Sequence, residues 1–233
     1  MREALCGPSV YKVPKRSPAA FKSGVALVAD TAVALAEAGE MSCTDGRIIV
    51  VANIDDLIQR VSVKALAAEG QLPRTAKVEE LAQAESMLGF TLPPVLVRLY
   101  REVANGGFGP DYQLFPLLGE GRTAIDTYFE ERSMLLSGDR TRWPAGVLPI
   151  LDWGCGMYAA VDCLSPEGAV LLFEPNAIGS DDDWPEAWFV DSGSLTEWLE
   201  TWLSDAGWYV GDADDDGDMR PWEMARTRLS EHG

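Results

Sequence analysis

The sequence predicts an α+β fold, an antiparallel or mixed sheet with helices packed on it, on three observations. Apolar residues recur at helical spacing between Ile54 and Ala104. β-Branched and alternating runs occupy much of the stretch from Tyr112 to Val190. One more amphipathic segment, Ser194 to Ser204, closes the pattern, and helices followed by strands and a last helix are the order of an α+β domain.

Residues 1–46 are expected to form an arm, loose or with one helix. Residues 1–24 carry three prolines and no periodicity. Val25 to Ala38 (VALVADTAVALAEA) follows a basic stretch as a signal peptide would, but Asp30 interrupts it and it is too short to span a bilayer. A helix is the better expectation there, and Met41 is a second candidate start. Residues 47–72 read as a strand-helix extension: Arg47 to Ala52 (RIIVVA) is β-branched, and Asn53 caps a helix, Ile54 to Ala68, with Leu57, Ile58, Val61 and Leu66 on one stripe.

The main domain is expected over residues 73–205. Thr75 caps a helix from Ala76 to Leu88 whose stripe is Val78, Leu81, Ala82, Glu85 and Leu88, and Gly89 stops it. Pro93 and Pro94 open a second helix, Pro94 to Ala104, with Val95, Leu96, Leu99, Tyr100 and Val103 inward, ended by Asn105-Gly106-Gly107. Tyr112 to Leu118 reads as a strand and Thr123 to Ser137 as a polar helix. Val147 to Asp152 is a strand that reaches a loop, Trp153-Gly154-Cys155-Gly156. Met157 to Cys163 and Ala169 to Glu174 form a hairpin about Ser165-Pro166-Glu167-Gly168, and Ala187 to Val190 is a short strand. In the closing helix Ser194 and Glu197 make a capping box, with Leu195, Trp198, Leu199, Trp202 and Leu203 facing one way. Residues 206–233 read as an acidic tail with a short helix from Pro221.

Charge narrows the partners. Net charge is −18, from 19 basic and 37 acidic residues, and from Glu174 onward sixteen acids face three arginines. Such a body repels nucleic acid and anionic membranes and favours basic proteins or cations, though acidity also serves solubility. The four cysteines, Cys6, Cys43, Cys155 and Cys163, form no C-x-x-C pair, and the single histidine is His232. A zinc site is not expected. Cys155 and Cys163 read as small buried hydrophobes of a cytoplasmic protein.

Catalytic patterns are missing from the sequence. There is no phosphate-binding G-x-x-x-x-G-K-[ST] and no nucleophile-bearing G-x-S-x-G, and Asn105-Gly-Gly-Phe-Gly109 lacks dinucleotide spacing. The expectation is a protein that is not an enzyme, with no catalytic, cofactor-binding or metal-ligating residue assigned. Trp153, Tyr158, Trp184, Trp188, Trp198 and Trp202 are assigned to packing rather than to a ligand pocket.

The motifs fall in an order that resembles the SUKH superfamily, fungal cell-wall regulators of the Smi/Knr type together with bacterial immunity proteins. They are Glu79-Glu80-Leu81 to Glu85, Leu88-Gly89-Phe90-Thr91-Leu92-Pro93-Pro94, and Leu99-Tyr100 leading to Asn105-Gly106-Gly107-Phe108. Ile150-Leu151-Asp152-Trp153-Gly154-Cys155-Gly156 running into Met157 to Asp162, the turn Phe173-Glu174-Pro175-Asn176 and the helix Leu195 to Leu203 complete the set, from about Val78 to Leu203. The resemblance implies a sheet with packed helices that presents a surface to protein partners. For an immunity protein that partner is a toxin, commonly a nuclease, and −18 suits a basic one. The alternative is an intracellular regulatory or scaffold protein with no toxin.

A calcium reading stays open beside these. Asp212 to Glu223 (DADDDGDMRPWE) matches the EF-hand loop, with Asp212, Asp214 and Asp216 as oxygen donors, Gly217 at the bend, the Asp218 carbonyl and Glu223 bidentate. The approach is wrong for it, because Ala206 to Gly211 is glycine-bearing and β-leaning where an incoming helix belongs, and there is no second loop to pair with.

Overall fold

The computed structural model describes residues 41–44, 47–50, 53–110, 112–137, 140–205 and 220–230. Strands β1 (Met41–Thr44) and β2 (Arg47–Val50) form a separate antiparallel pair, with Met41 opposite Val50. The helix expected at Val25 to Ala38 lies outside the described residues.

Helix α1 (Ile54–Glu69) starts as its cap dictates, the Asn53 carboxamide oxygen accepting the Asp55 and Asp56 N–H groups at 3.0 and 3.4 Å. Its buried face is Leu57, Ile58, Val61 and Ala65. Leu66, placed on that stripe from the sequence, is 54% exposed, because at about 100° per residue it turns away from the line through Ile58, Val61 and Ala65. Helix α2 (Val78–Leu88) begins later than expected. The Ala76 N–H is taken by the Tyr100 carbonyl at 2.8 Å, which holds the chain extended past Thr75, and the Glu80 carboxylate accepts the Lys77 N–H at 2.8 Å. Its buried line is Leu81, Ala84 and Leu88, so Val78 and Ala82 face outward. Gly89 stops it in the left-handed region, at φ +77°.

Helix α3 (Pro94–Arg98) passes into a wider π turn, Leu99–Val103, where the Ala104 N–H reaches the Leu99 carbonyl five residues back. That turn leaves Leu99, Tyr100 and Val103 all buried. Tyr112 to Leu118 is no strand. Gln113 sits at φ +59°, Pro116 has no N–H, and the remaining donors go to scattered acceptors: Leu114 to Phe108, Phe115 to Ile150, Leu117 to the Asn105 side chain. Helix α4 (Ala124–Ser133), capped by Thr123, ends before Ser137 because the chain folds back there, Leu136 N–H on Arg140 and Arg142 N–H on Met134.

The five-stranded sheet runs β3 (Val147–Gly154), β4 (Met157–Asp162), β5 (Val170–Phe173), β6 (Trp188–Ser192) and β7 (Arg220–Pro221), antiparallel throughout. The fold is α+β. β3 continues through Trp153 and Gly154, so the reversal is tighter than the expected loop, and Gly154, Cys155 and Gly156 all hold positive φ. Cys155 is therefore exposed at a turn tip, while Cys163 is buried and its thiol pushed up by that burial. All six residues of β4 are buried, and since successive side chains face opposite ways, both faces of the sheet are covered.

One rung crosses the sheet. Tyr158 stands opposite Phe173, which stands opposite Trp188, and Trp222 follows through its N–H bond to the Trp188 carbonyl. Fully buried Trp143 presses edge-on against Tyr158, Phe173 and Trp188, at 5.4, 5.4 and 4.7 Å between ring centroids. Helix α5 (Leu195–Leu203) lies against α1 and β6, with Trp198 and Trp202 buried. Ser194 accepts the Glu197 N–H, and the returning bond of the expected box goes to the Gly193 N–H instead. Arg60 clamps Glu200 with two bonds of 2.7 and 2.6 Å, and the Lys64 ammonium donates to the Trp202 carbonyl at 2.6 Å, a cation at the negative end of the helix dipole.

The last segment departs most from expectation. Pro221 opens no helix: it lies in β7 opposite Phe189, an edge position where its missing N–H costs no ladder bond. Helix α6 (Ala225–Ser230) follows, with Trp222, Ala225, Arg228 and Leu229 buried. Among the described residues no helix is long and apolar enough to cross a membrane.

Candidate interaction surface

Asn105-Gly106-Gly107, legible as a helix stop, is also the joint on which a cleft is built. The Asn105 carboxamide donates to the Leu118 carbonyl at 2.7 Å and accepts the Leu117 N–H at 2.9 Å, while its backbone N–H bonds Arg74 at 2.9 Å. One residue, through its backbone and its side chain, thus ties the linker before α2 to the loop before α4. Gly106, at φ +77°, lets the backbone of Phe115 and Pro116 come so close that a Cβ would sit 2.5 Å from both. The resulting cleft has a volume of about 650 Å³ and is lined by Pro73, Arg74, Tyr112, Gln113, Phe115 and Glu120, among others.

Aromatic rings and paired charges adjoin its lining residues. Tyr112 meets Trp153 edge-on at 5.9 Å. The Arg122 guanidinium lies 5.0 Å from the Phe115 ring centroid, pairs with Asp152 and donates to the Tyr158 hydroxyl at 2.5 Å. That hydroxyl passes its own proton toward buried Glu131 at 3.3 Å. The second Glu131 oxygen faces Arg142 Nε at 3.1 Å, close enough for an ion pair but misaligned for a hydrogen bond. Burial and the Glu131 carboxylate push the Tyr158 phenol up to about 12. Arg74, which lines the cleft, forks onto Glu80 at 2.7 and 2.6 Å and, with the Lys77 N–H, holds that carboxyl down to about 2.

A Gly106→Ala substitution is expected to lose at least about 3 kcal/mol, from left-handed strain plus a backbone clash. Gly121→Ala is the control, since Gly121 also has positive φ (+81°) but nothing within 4 Å of a Cβ. Urea unfolding should show the first variant well below the second. Equal midpoints would mean that the Gly106 contact relaxes without cost.

The residues singled out from the sequence are dispersed. Trp188, Trp198, Trp202 and Tyr158 are buried, and Trp153 and Trp184 pack partly buried against the core, so the six do not converge on one pocket. Of the calcium loop, Asp212 to Met219 lie outside the described residues, Arg220 and Pro221 are strand, and Glu223 is exposed. The exit helix that such a loop needs at Pro221 is absent. Among the described residues no group of three His, Cys, Asp or Glu is placed to hold a metal. The acidic loop at Asp181 to Asp183 is engaged internally, with Ser137, Arg140 and the Gly179 and Ser180 N–H groups. Asn105, Tyr112 and Glu120, which line the cleft, carry no sequence signal beyond an asparagine ahead of two glycines.

No curated protein matches the chain. A family model does: that of the SMI1 / KNR4 family (SUKH-1) matches residues 75–201, more than half of the sequence. The matched span holds α2, α3, the Asn105 joint, most of the cleft lining, α4, strands β3 to β6 and most of α5. At family level this supports a protein-binding module of the immunity or regulatory kind, in a group whose members are in general non-enzymatic binding domains. By that match and by its fold, the chain belongs to the SMI1/KNR4 family (SUKH-1).

Proposed function

We propose that this protein is an immunity-type binding module that neutralises a basic toxin, a nuclease by class, through direct contact within the cytoplasm. The observation that carries the reading is charge: −18 over 233 residues, in a family of binding modules. Opposite fields speed encounter, and an acidic surface can occupy a site built for a phosphate backbone. Several described ion pairs, such as Arg60 with Glu200 and Arg98 with Glu102, are internal, so the partner meets the remaining carboxylates.

The test is capture of a basic nuclease domain encoded beside this gene. A stoichiometric complex is expected by calorimetry, with affinity falling by at least about tenfold between low and high salt as screening removes the long-range term. Affinity that ignores ionic strength overturns the charge argument. A basic partner without toxicity returns the chain to the regulatory alternative.

A further inference from the structure

Charges around the cleft do not balance. Arg74, the guanidinium that lines it, is already neutralised by Glu80, and Arg122, beside its Phe115, by Asp152. Glu120 lines the cleft, is exposed and has no cationic partner among the described residues. Glu69 reaches the edge only through a neutral amide, the Gln113 Nε2 that donates to it at 2.7 Å. Two aromatic rings, Tyr112 and Phe115, line the same cleft. Tyr112 is 47% exposed, and its neighbour Gln113 is held at φ +59° by a turn closed from Gln113 N–H to the Pro110 carbonyl at 2.7 Å. A residue with a Cβ adopts that backbone only when its surroundings impose it, and such positions gather where a surface must be presented in one way. Arg122 over Phe115 shows that this lining already stacks one guanidinium.

We infer that the cleft receives a basic segment of the partner protein, one arginine lying along the exposed Tyr112 ring with its guanidinium on the Glu120 carboxylate. This rests on the reading that the module binds a basic protein, and it places the contact. Arginine fits better than lysine because its planar group stacks on rings and bonds a carboxylate with two parallel N–H groups. A volume of about 650 Å³ exceeds one side chain and suits a short stretch of chain.

The experiment titrates the isotope-labelled full chain with a capped Gly-Gly-Arg-Gly-Gly peptide and with its glutamine counterpart, read by NMR. The arginine peptide should shift the amides of Gly107, Tyr112 and Glu120 and the Trp153 indole, and the glutamine peptide should not. Glu120→Gln and Tyr112→Ala, both at exposed positions, should each weaken binding by about tenfold. Glu79→Gln, another exposed carboxylate with no cationic partner among the described residues, should leave it within about twofold. Shifts spread evenly over the acidic surface, or equal losses for Glu120→Gln and Glu79→Gln, overturn the inference. Capture of a basic protein at an affinity indifferent to Glu120 and Tyr112 overturns the cleft and leaves the capture reading standing. Peptide binding in the cleft with no basic protein captured does the reverse.

Discussion

Trp143→Ala is expected to remove about 4 kcal/mol of stability, in the upper range for a single core truncation. The indole is fully buried, touches the three rings of the rung edge-on, and donates its N–H to the Val147 carbonyl at 2.6 Å. Truncation leaves a cavity that the neighbours cannot close, because Tyr158, Phe173 and Trp188 are held in register by strand pairing. It also strands the Val147 acceptor. The melting temperature should fall by roughly 10 °C for a chain of this size, and the near-ultraviolet circular dichroism of the packed indoles should collapse. Trp143→Phe should keep about half of the loss away. A change below about 1 kcal/mol for the alanine variant would show that the rung does not depend on its central ring.

Arg228→Ala should cost about 3 kcal/mol or more, although it lies near the end of the chain. Its guanidinium donates to Asp162 at 3.3 Å and to the Ala145 carbonyl at 3.0 Å, and its own carbonyl accepts the Ala145 N–H at 3.2 Å. Both charged side chains are nearly buried, at 10% and 5% exposure, so removing one leaves Asp162 as an unpaired charge inside the protein. The same step loosens α6 and with it Trp222, which rests on Trp188 with ring centroids 6.0 Å apart. Amides of β6 should then exchange faster than those of β4. The double variant Arg228→Ala, Asp162→Asn should recover part of the loss, since the stranded charge is gone. Failure to recover any would assign the cost to lost packing on Trp222 rather than to the ion pair.

Much of the fold was legible because it rests on short-range chemistry. Asn53 and Ser194 cap their helices, Gly89 stops one, and the hairpin from β4 to β5 turns at Ser165 to Gly168, each set by residues within a few positions. Family membership was legible for the same reason, since its motifs are caps, stops and turns in a fixed order. The misplacements share another cause. Tyr112 to Leu118 looks β-forming, yet no continuous strand takes up its donors, which are claimed by Phe108, Ile150 and Asn105. Thr75 is a good cap, but Tyr100 holds the chain extended beyond it. Pro221 suits a first helical turn and also suits an edge strand, and β6 decides between the two.

What the sequence determined by itself is therefore most of the helices and the central strands, the acidity and the family, because periodicity, capping and charge are properties of neighbouring residues. What only the tertiary structure decided is which elements complete one another. Asn105 reaches Leu118, Gly106 admits Pro116, Tyr112 finds Trp153, and Arg228 crosses 66 positions to Asp162. No local pattern records such pairs. They exist because burying apolar faces brings distant segments together, and every polar group enclosed on the way must then find a partner.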